Sequence, residues 1–173
     1  MFFALAYIDY MKKNKAKLLV IILAIALFFI TLFIILNSAL DFETSHASSG
    51  VIVDIIVPDS AKDVLIDYKT PEYYIRKAAH FLEYAVLGCA VVGFAIAFSD
   101  YRRSKFNFLG FELFYVLSIA VLDEHIQSLS DRSSLTGDIL LDFAGALTGI
   151  VLIHFIFYII KRKKSKNRKN AEE

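Results

Sequence analysis

The sequence predicts an all-α, multi-pass transmembrane bundle of four spans, with short amphipathic helices in the first outer loop. Three observations predict it. Hydrophobic residues make up 57% of the 173 positions and charged residues only 21%, where soluble domains hold about 45–50% and about 25%. The apolar excess is gathered into runs of membrane-crossing length. The basic residues crowd beside alternate ends of those runs.

The first span is residues 18–36, an uncharged run in which Thr31 is the one polar member. It follows Lys12, Lys13, Lys15 and Lys17 as a signal peptide's apolar region would, but it is too long for one. No clear A-x-A cleavage site follows, so an uncleaved anchor is expected. The second span covers residues 78–98. Thr70 suits an N-cap, Pro71 the first helical position, and Glu72 the positive helix end. The third, 106–122, is interrupted by Glu112 and is the weakest by hydropathy. The fourth, 139–160, ends in Lys161-Arg162-Lys163-Lys164. The expected organisation is a basic segment 1–17, a membrane domain 18–160 and a basic tail 161–173.

The connection between the first two spans, residues 37–77, is mixed. Residues 44–50 are small and polar and read as a loop. Residues 51–57 are a mostly apolar run that suits a strand or a short interfacial helix, since periodicity does not separate these at such length. Val64, Leu65 and Tyr68 then recur at helical spacing, which favours two short amphipathic helices lying on the membrane.

Composition also excludes. A net charge of +1 offers no case for nucleic acid. One cysteine, Cys89, rules out an internal disulfide framework and a Cys-based zinc site. Two prolines and seven glycines exclude collagen-like and disordered classes.

Orientation follows from where the charges lie. The N-terminal segment, the 99–107 loop and the C-terminal tail hold 14 of the 19 basic residues. Residues 41–83 and 123–142 hold 13 of the 18 acidic ones. The positive-inside rule therefore expects a multi-pass membrane protein with both termini cytoplasmic and two outer loops. The tail suits a stop-transfer flank better than a dedicated anionic-lipid site.

Ionisable residues in membrane segments are costly and mark functional candidates. Arg76, His80 and Glu83 fall within about 60° on one helical face, with Lys77 and Tyr84 beside them. The His80–Glu83 spacing suits a carboxylate that orients an imidazole or shares a metal, and equally a buried polar clamp. Asp123, Glu124 and Gln127 stand at the expected outer end of the third span. They suit hydrogen bonds to sugar or amide groups, a pair with Arg76, or a solvated helix end. Acidic groups at a helix C-terminus oppose the macrodipole, which points to a partner cation. Arg132, the lone basic residue of the 123–138 loop, suits a phosphate or carboxylate clamp, or a salt bridge to Asp131 or Asp138. Asp138 suits the positive end of the fourth helix. Asp142 lies one turn deeper, on the face that carries Gly145 and Gly149. That small-xxx-small pair implies close helix packing and turns Asp142 into the bundle. Glu112, His154 and His46 are assigned no functional role. No hydrolytic motif of the H-E-x-x-H or G-x-S-x-G kind occurs, and no catalytic residue, metal or cofactor is assigned.

Arg76-Lys77-x-x-His80-Phe81-x-Glu83-Tyr84, then Asp123-Glu124-x-x-Gln127, then Arg132, then Asp138 with Gly145 and Gly149, resemble in order and spacing the VanZ-like family of bacterial membrane proteins. The resemblance covers roughly residues 70–150. Two positions depart from the family pattern: Asp142 stands where Asn is more frequent, and Ser130-Asp131 replaces a Pro-Gly before the loop arginine. The resemblance implies a cell-envelope protein of the bacterial plasma membrane, linked to resistance to glycopeptide antibiotics, notably teicoplanin. The expected function is a non-enzymatic protein that modulates glycopeptide susceptibility through an outer-face polar site. Its expected partners are membrane lipids and a cell-wall precursor, an anionic lipid headgroup or a glycopeptide. The alternatives are an intramembrane enzyme acting on a lipid-linked or phosphorylated envelope substrate, and a structural protein whose function lies in a partner.

Overall fold

The computed structural model describes residues 2–39, 71–103, 108–129 and 136–169. Its elements are all α-helices: α1 (Phe2–Ala39), α2 (Pro71–Arg102), α3 (Leu109–Leu129) and α4 (Thr136–Lys169). No strand occurs among the described residues. The two amphipathic helices expected in residues 51–68 lie outside them, as does Arg132.

Each helix runs beyond its expected span. α1 continues back through the basic segment, and α4 carries the basic tail as helix. α2 begins at Pro71, where the proline's fixed φ and missing N–H suit a first helical position. It stops after Arg102, because Arg103 turns to a φ of 52° and its N–H reaches the Asp100 carbonyl at 3.2 Å. α3 extends to Leu129, past the expected end at residue 122. Asp123 and Glu124 therefore stand inside the helix and more than a turn from its end, where the macrodipole acts weakly. Burial makes this pair costly: Asp123 is 0% and Glu124 3% exposed.

Three helices contain stretches long and apolar enough to cross a membrane: Lys13–Ala39, Tyr73–Arg102 and Thr136–Asn167. α3 does not meet that standard, because Glu112, Asp123 and Glu124 interrupt its 21 residues. All three carboxylates are buried against the other helices, so α3 is acidic toward the bundle while Phe114, Leu117, Val121 and Leu122 face outward. The outer surfaces of α1 and α4 are likewise apolar, from Leu18 to Leu36 and from Val151 to Ile160. A surface of this kind suits lipid and not water.

Contacts between helices set their directions. Glu112 meets His154 while Asp123 lies near Asp142, so α3 and α4 run antiparallel. α2 and α4 run parallel, with Lys77 against Asp138 at one end and Ala85 against Gly149 further along. Their seam is the most extensive helix pair. A Cβ at Gly145 would collide with the Phe81 carbonyl, one at Gly149 with the Ala85 carbonyl, and one at Gly88 with the Ala146 carbonyl. Small residues thus let two backbones touch where lipid supplies no hydrophobic drive. Tyr84, Leu87, Val91, Val92, Val116, Ala120, Ala146 and Ile150 fill the centre, with Leu27 and Ile34 from α1. A hydrogen bond of 2.8 Å between Thr31 Oγ1 and Tyr115 Oη ties α1 to α3.

Candidate functional site

One end of the bundle is acidic. There α1 and α3 finish and α2 and α4 begin, so one helix end from each element arrives at a common level. α2 brings Arg76, Lys77, His80, Glu83 and Tyr84 on its first turns; α3 brings Asp123, Glu124 and Gln127; α4 brings Asp138 and Asp142. The Gly145–Phe81 approach draws α4 against α2 immediately beside His80.

His80, Asp123 and Asp142 each offer a ring nitrogen or carboxylate oxygen within 4.8 Å of the others. Asp123 and Asp142 are buried, and His80 is half-buried. Gln127 Nε2 donates to Asp123 Oδ2 at 3.3 Å, the link that their i,i+4 spacing allows. Asp123 Oδ1 has no hydrogen-bond partner. Tyr84, one turn beyond His80, is 0% exposed and stands beside Asp123 with Asp142 also in electrostatic reach. Its hydroxyl completes no well-formed hydrogen bond.

The flanks of the cluster are engaged. Lys77 makes an ion pair with Asp138 and lies 5.3 Å from the centre of the Tyr73 ring. Asp138 is therefore bound to a cation on α2 as well as standing in the first turn of α4. Glu83 Oε1 accepts from Asn37 Nδ2 of α1 at 3.2 Å, while Glu83 Oε2 is 4.0 Å from His80 Nδ1. Arg76 stands half-buried one turn before His80. Glu124 is buried next to Asp123.

Ten of the expected site residues thus share one end of the bundle, and Arg132 lies outside the described residues. Gly145 and Gly149 sit on the seam. The sequence did not single out Asn37, which holds Glu83, or Gly88, which answers the two α4 glycines. Asn37 follows the apolar run at residue 36 and reads there as an ordinary end of a span. Gly88 has its small partner Ala146 on another helix, so no motif within α2 marks it.

The opposite end carries a second polar contact. Glu112 stands in the first turn of α3, 2% exposed, and its carboxylate lies 2.8 Å from His154 Nε2 of α4. Glu112 and His154 are thus packing residues that meet each other. Their contact joins α3 to α4.

Similarity places the chain beside known proteins through one comparison. The VanZ/LLP1 family model matches residues 18–158, which takes in α2, α3, the polar end and most of the apolar stretches of α1 and α4. No curated protein and no solved structure matches. With most of its length covered by that one model, the chain belongs to the VanZ/LLP1 family.

Proposed function

We propose that this protein is a four-span membrane protein of the bacterial envelope, with both termini cytoplasmic, that lowers susceptibility to glycopeptide antibiotics such as teicoplanin. Family membership supports the envelope role. The charge asymmetry supports the orientation: the segments on the acidic side carry a net −8 and those on the other side +10. α3 is taken as the fourth span because its three carboxylates are buried inside the bundle, which hides them from lipid.

The observation that carries the reading is the meeting of polar residues from α2, α3 and α4 at the end assigned to the outer face. The buried Asp123 carboxylate, whose Oδ1 completes no well-formed hydrogen bond, suits the hydroxyl, amide and ammonium donors of a cell-wall precursor or a glycopeptide. Arg76 on α2 suits an anionic headgroup, as does Arg132 of the outer loop expected from the sequence.

The experiment expresses the chain in a glycopeptide-sensitive bacterium and compares teicoplanin susceptibility for wild type, Glu124→Ala and Arg132→Ala at matched membrane levels. Both variants are expected to lose protection. Full protection from both at normal abundance rejects the site. A tag at residue 45 that is reached only from the cytoplasm rejects the orientation.

A second reading, an intramembrane enzyme on a lipid-linked or phosphorylated envelope substrate, draws on the close approach of His80, Asp123 and Asp142. Turnover of labelled lipid precursors by the purified protein favours it. Binding without turnover favours the first reading.

A further inference from the structure

We propose that His80, Asp123 and Asp142 hold one divalent transition-metal ion at the acidic end of the bundle. The donors come from three helices, α2, α3 and α4, and their nearest ligand atoms all lie within 4.8 Å of one another. Two donors bound to the same ion at about 2.1 Å each stand no more than about 4.2 Å apart. Side-chain rotations of about an ångström therefore close this triangle onto an ion.

Two neighbouring polar atoms point into the same volume. The Tyr84 hydroxyl is fully buried against Asp123 and completes no well-formed hydrogen bond, and Asp123 Oδ1 completes none either. Buried polar atoms without partners are rare, and each one calls for an explanation such as an ion. The local charge agrees. Asp123 and Asp142 are joined by a buried Glu124, whereas Lys77, a cation within reach of Asp142, is already engaged by Asp138. Burying several carboxylates is costly without compensating charge. One dication at the triangle answers the charge and both orphan atoms.

The donor chemistry narrows the ion. One imidazole and two carboxylates suit Zn2+ or Mn2+ better than Ca2+ or Mg2+, which favour all-oxygen shells. Three protein donors leave coordination positions open. Tyr84 is placed to take one of them or to hold a metal-bound water. An open position would accept an anionic oxygen, so the ion would let an acid-rich chamber receive a phosphate or carboxylate. That last step rests on the headgroup-binding function proposed above; the ion site itself does not.

The test uses the full chain in detergent or nanodiscs, stripped with chelator and reloaded with Mn2+ or Zn2+ alone. The expectation is about one ion retained per chain after gel filtration, with a rise in Tm on loading. Pulsed EPR of the Mn2+ form should show coupling to an imidazole nitrogen. Asp142→Asn should cut retention at least tenfold, and His80→Gln should remove the coupling. Wild type that retains no ion and shows no thermal response overturns the proposal. So does bound Mn2+ without imidazole coupling, a result that needs no variant to fold. Coupling that survives in folded His80→Gln puts the ion elsewhere and also overturns it. Intact antibiotic protection by a chain that binds no metal would defeat only this site. Bound metal without protection would defeat only the proposed function.

Discussion

The two ends of the bundle solve the same problem in different ways. Each buries acidic side chains between α3 and α4. At the basic end Glu112 is closed by one contact, His154 Nε2 at 2.8 Å. At the acidic end Asp123, Glu124 and Asp142 are gathered together, and two buried polar atoms, Asp123 Oδ1 and Tyr84 Oη, are left without hydrogen bonds. A satisfied pair holds helices together. A cluster with spare acceptor capacity opposes folding and persists where something else uses it. The contrast separates a structural clamp from the proposed site more sharply than burial, which both ends share.

Substitution at the helix seam should break the acidic end first. Gly145 lies against the Phe81 backbone, adjacent to His80, with no room for a Cβ. Gly145→Leu pushes α4 from α2 and parts Asp142 from His80, whereas the Glu112–His154 contact joins α3 to α4 and does not cross that seam. The expected loss is about 3 kcal/mol, the upper part of the usual range for overpacking. Fluorescence-detected gel filtration after a heat series reads it. Wild-type melting would remove the seam from its role in building the site.

The basic end should respond asymmetrically. Glu112 is 2% exposed and the His154 side chain 44%. Removing the histidine strands a buried acid, while removing the acid frees a histidine with room to reorient. His154→Ala should therefore cost about 1–3 kcal/mol, and Glu112→Gln less. A double-mutant cycle on thermal stability measures the coupling. Equal losses from the two substitutions, with no coupling, would mean that this end is not a clamp.

How much of this contrast was legible in the sequence depends on whether the relevant signal lies within one helix. The α2 start was legible because Pro71 carries its own backbone constraint. The grouping of Arg76, His80 and Glu83 was legible from helical periodicity, and the link from Gln127 to Asp123 from i,i+4 spacing. The Gly145–Gly149 pair marked a close-packed face for the same reason. Contacts between helices left no such mark. Glu112 and His154 are 42 residues apart, Asn37 and Glu83 are 46, and Thr31 and Tyr115 are 84. The third helix was cut short at residue 122 because Asp123 and Glu124 look like solvent-facing residues to a hydropathy count. They are buried acids, and only the neighbouring helices reveal it.

The smallest expected effect gives the finest comparison, because it makes one chemical change at two tyrosines. Tyr115 Oη shares a hydrogen bond of 2.8 Å with Thr31, and Tyr84 Oη has no such bond. Tyr115→Phe removes a made bond between helices, which in a membrane protein is worth about 0.6 kcal/mol. Tyr84→Phe removes a buried hydroxyl that has given up water for no well-formed hydrogen bond, so in chelator-stripped protein it should be neutral or stabilising by a few tenths of a kcal/mol. Thermal melts of the two variants in the same detergent decide the sign. With Mn2+ present, Tyr84→Phe should lose part of the metal-induced rise in Tm while Tyr115→Phe keeps all of it. Identical behaviour of the two variants in both conditions would mean that the Tyr84 hydroxyl has no part in the acidic site, and that its burial reflects packing alone.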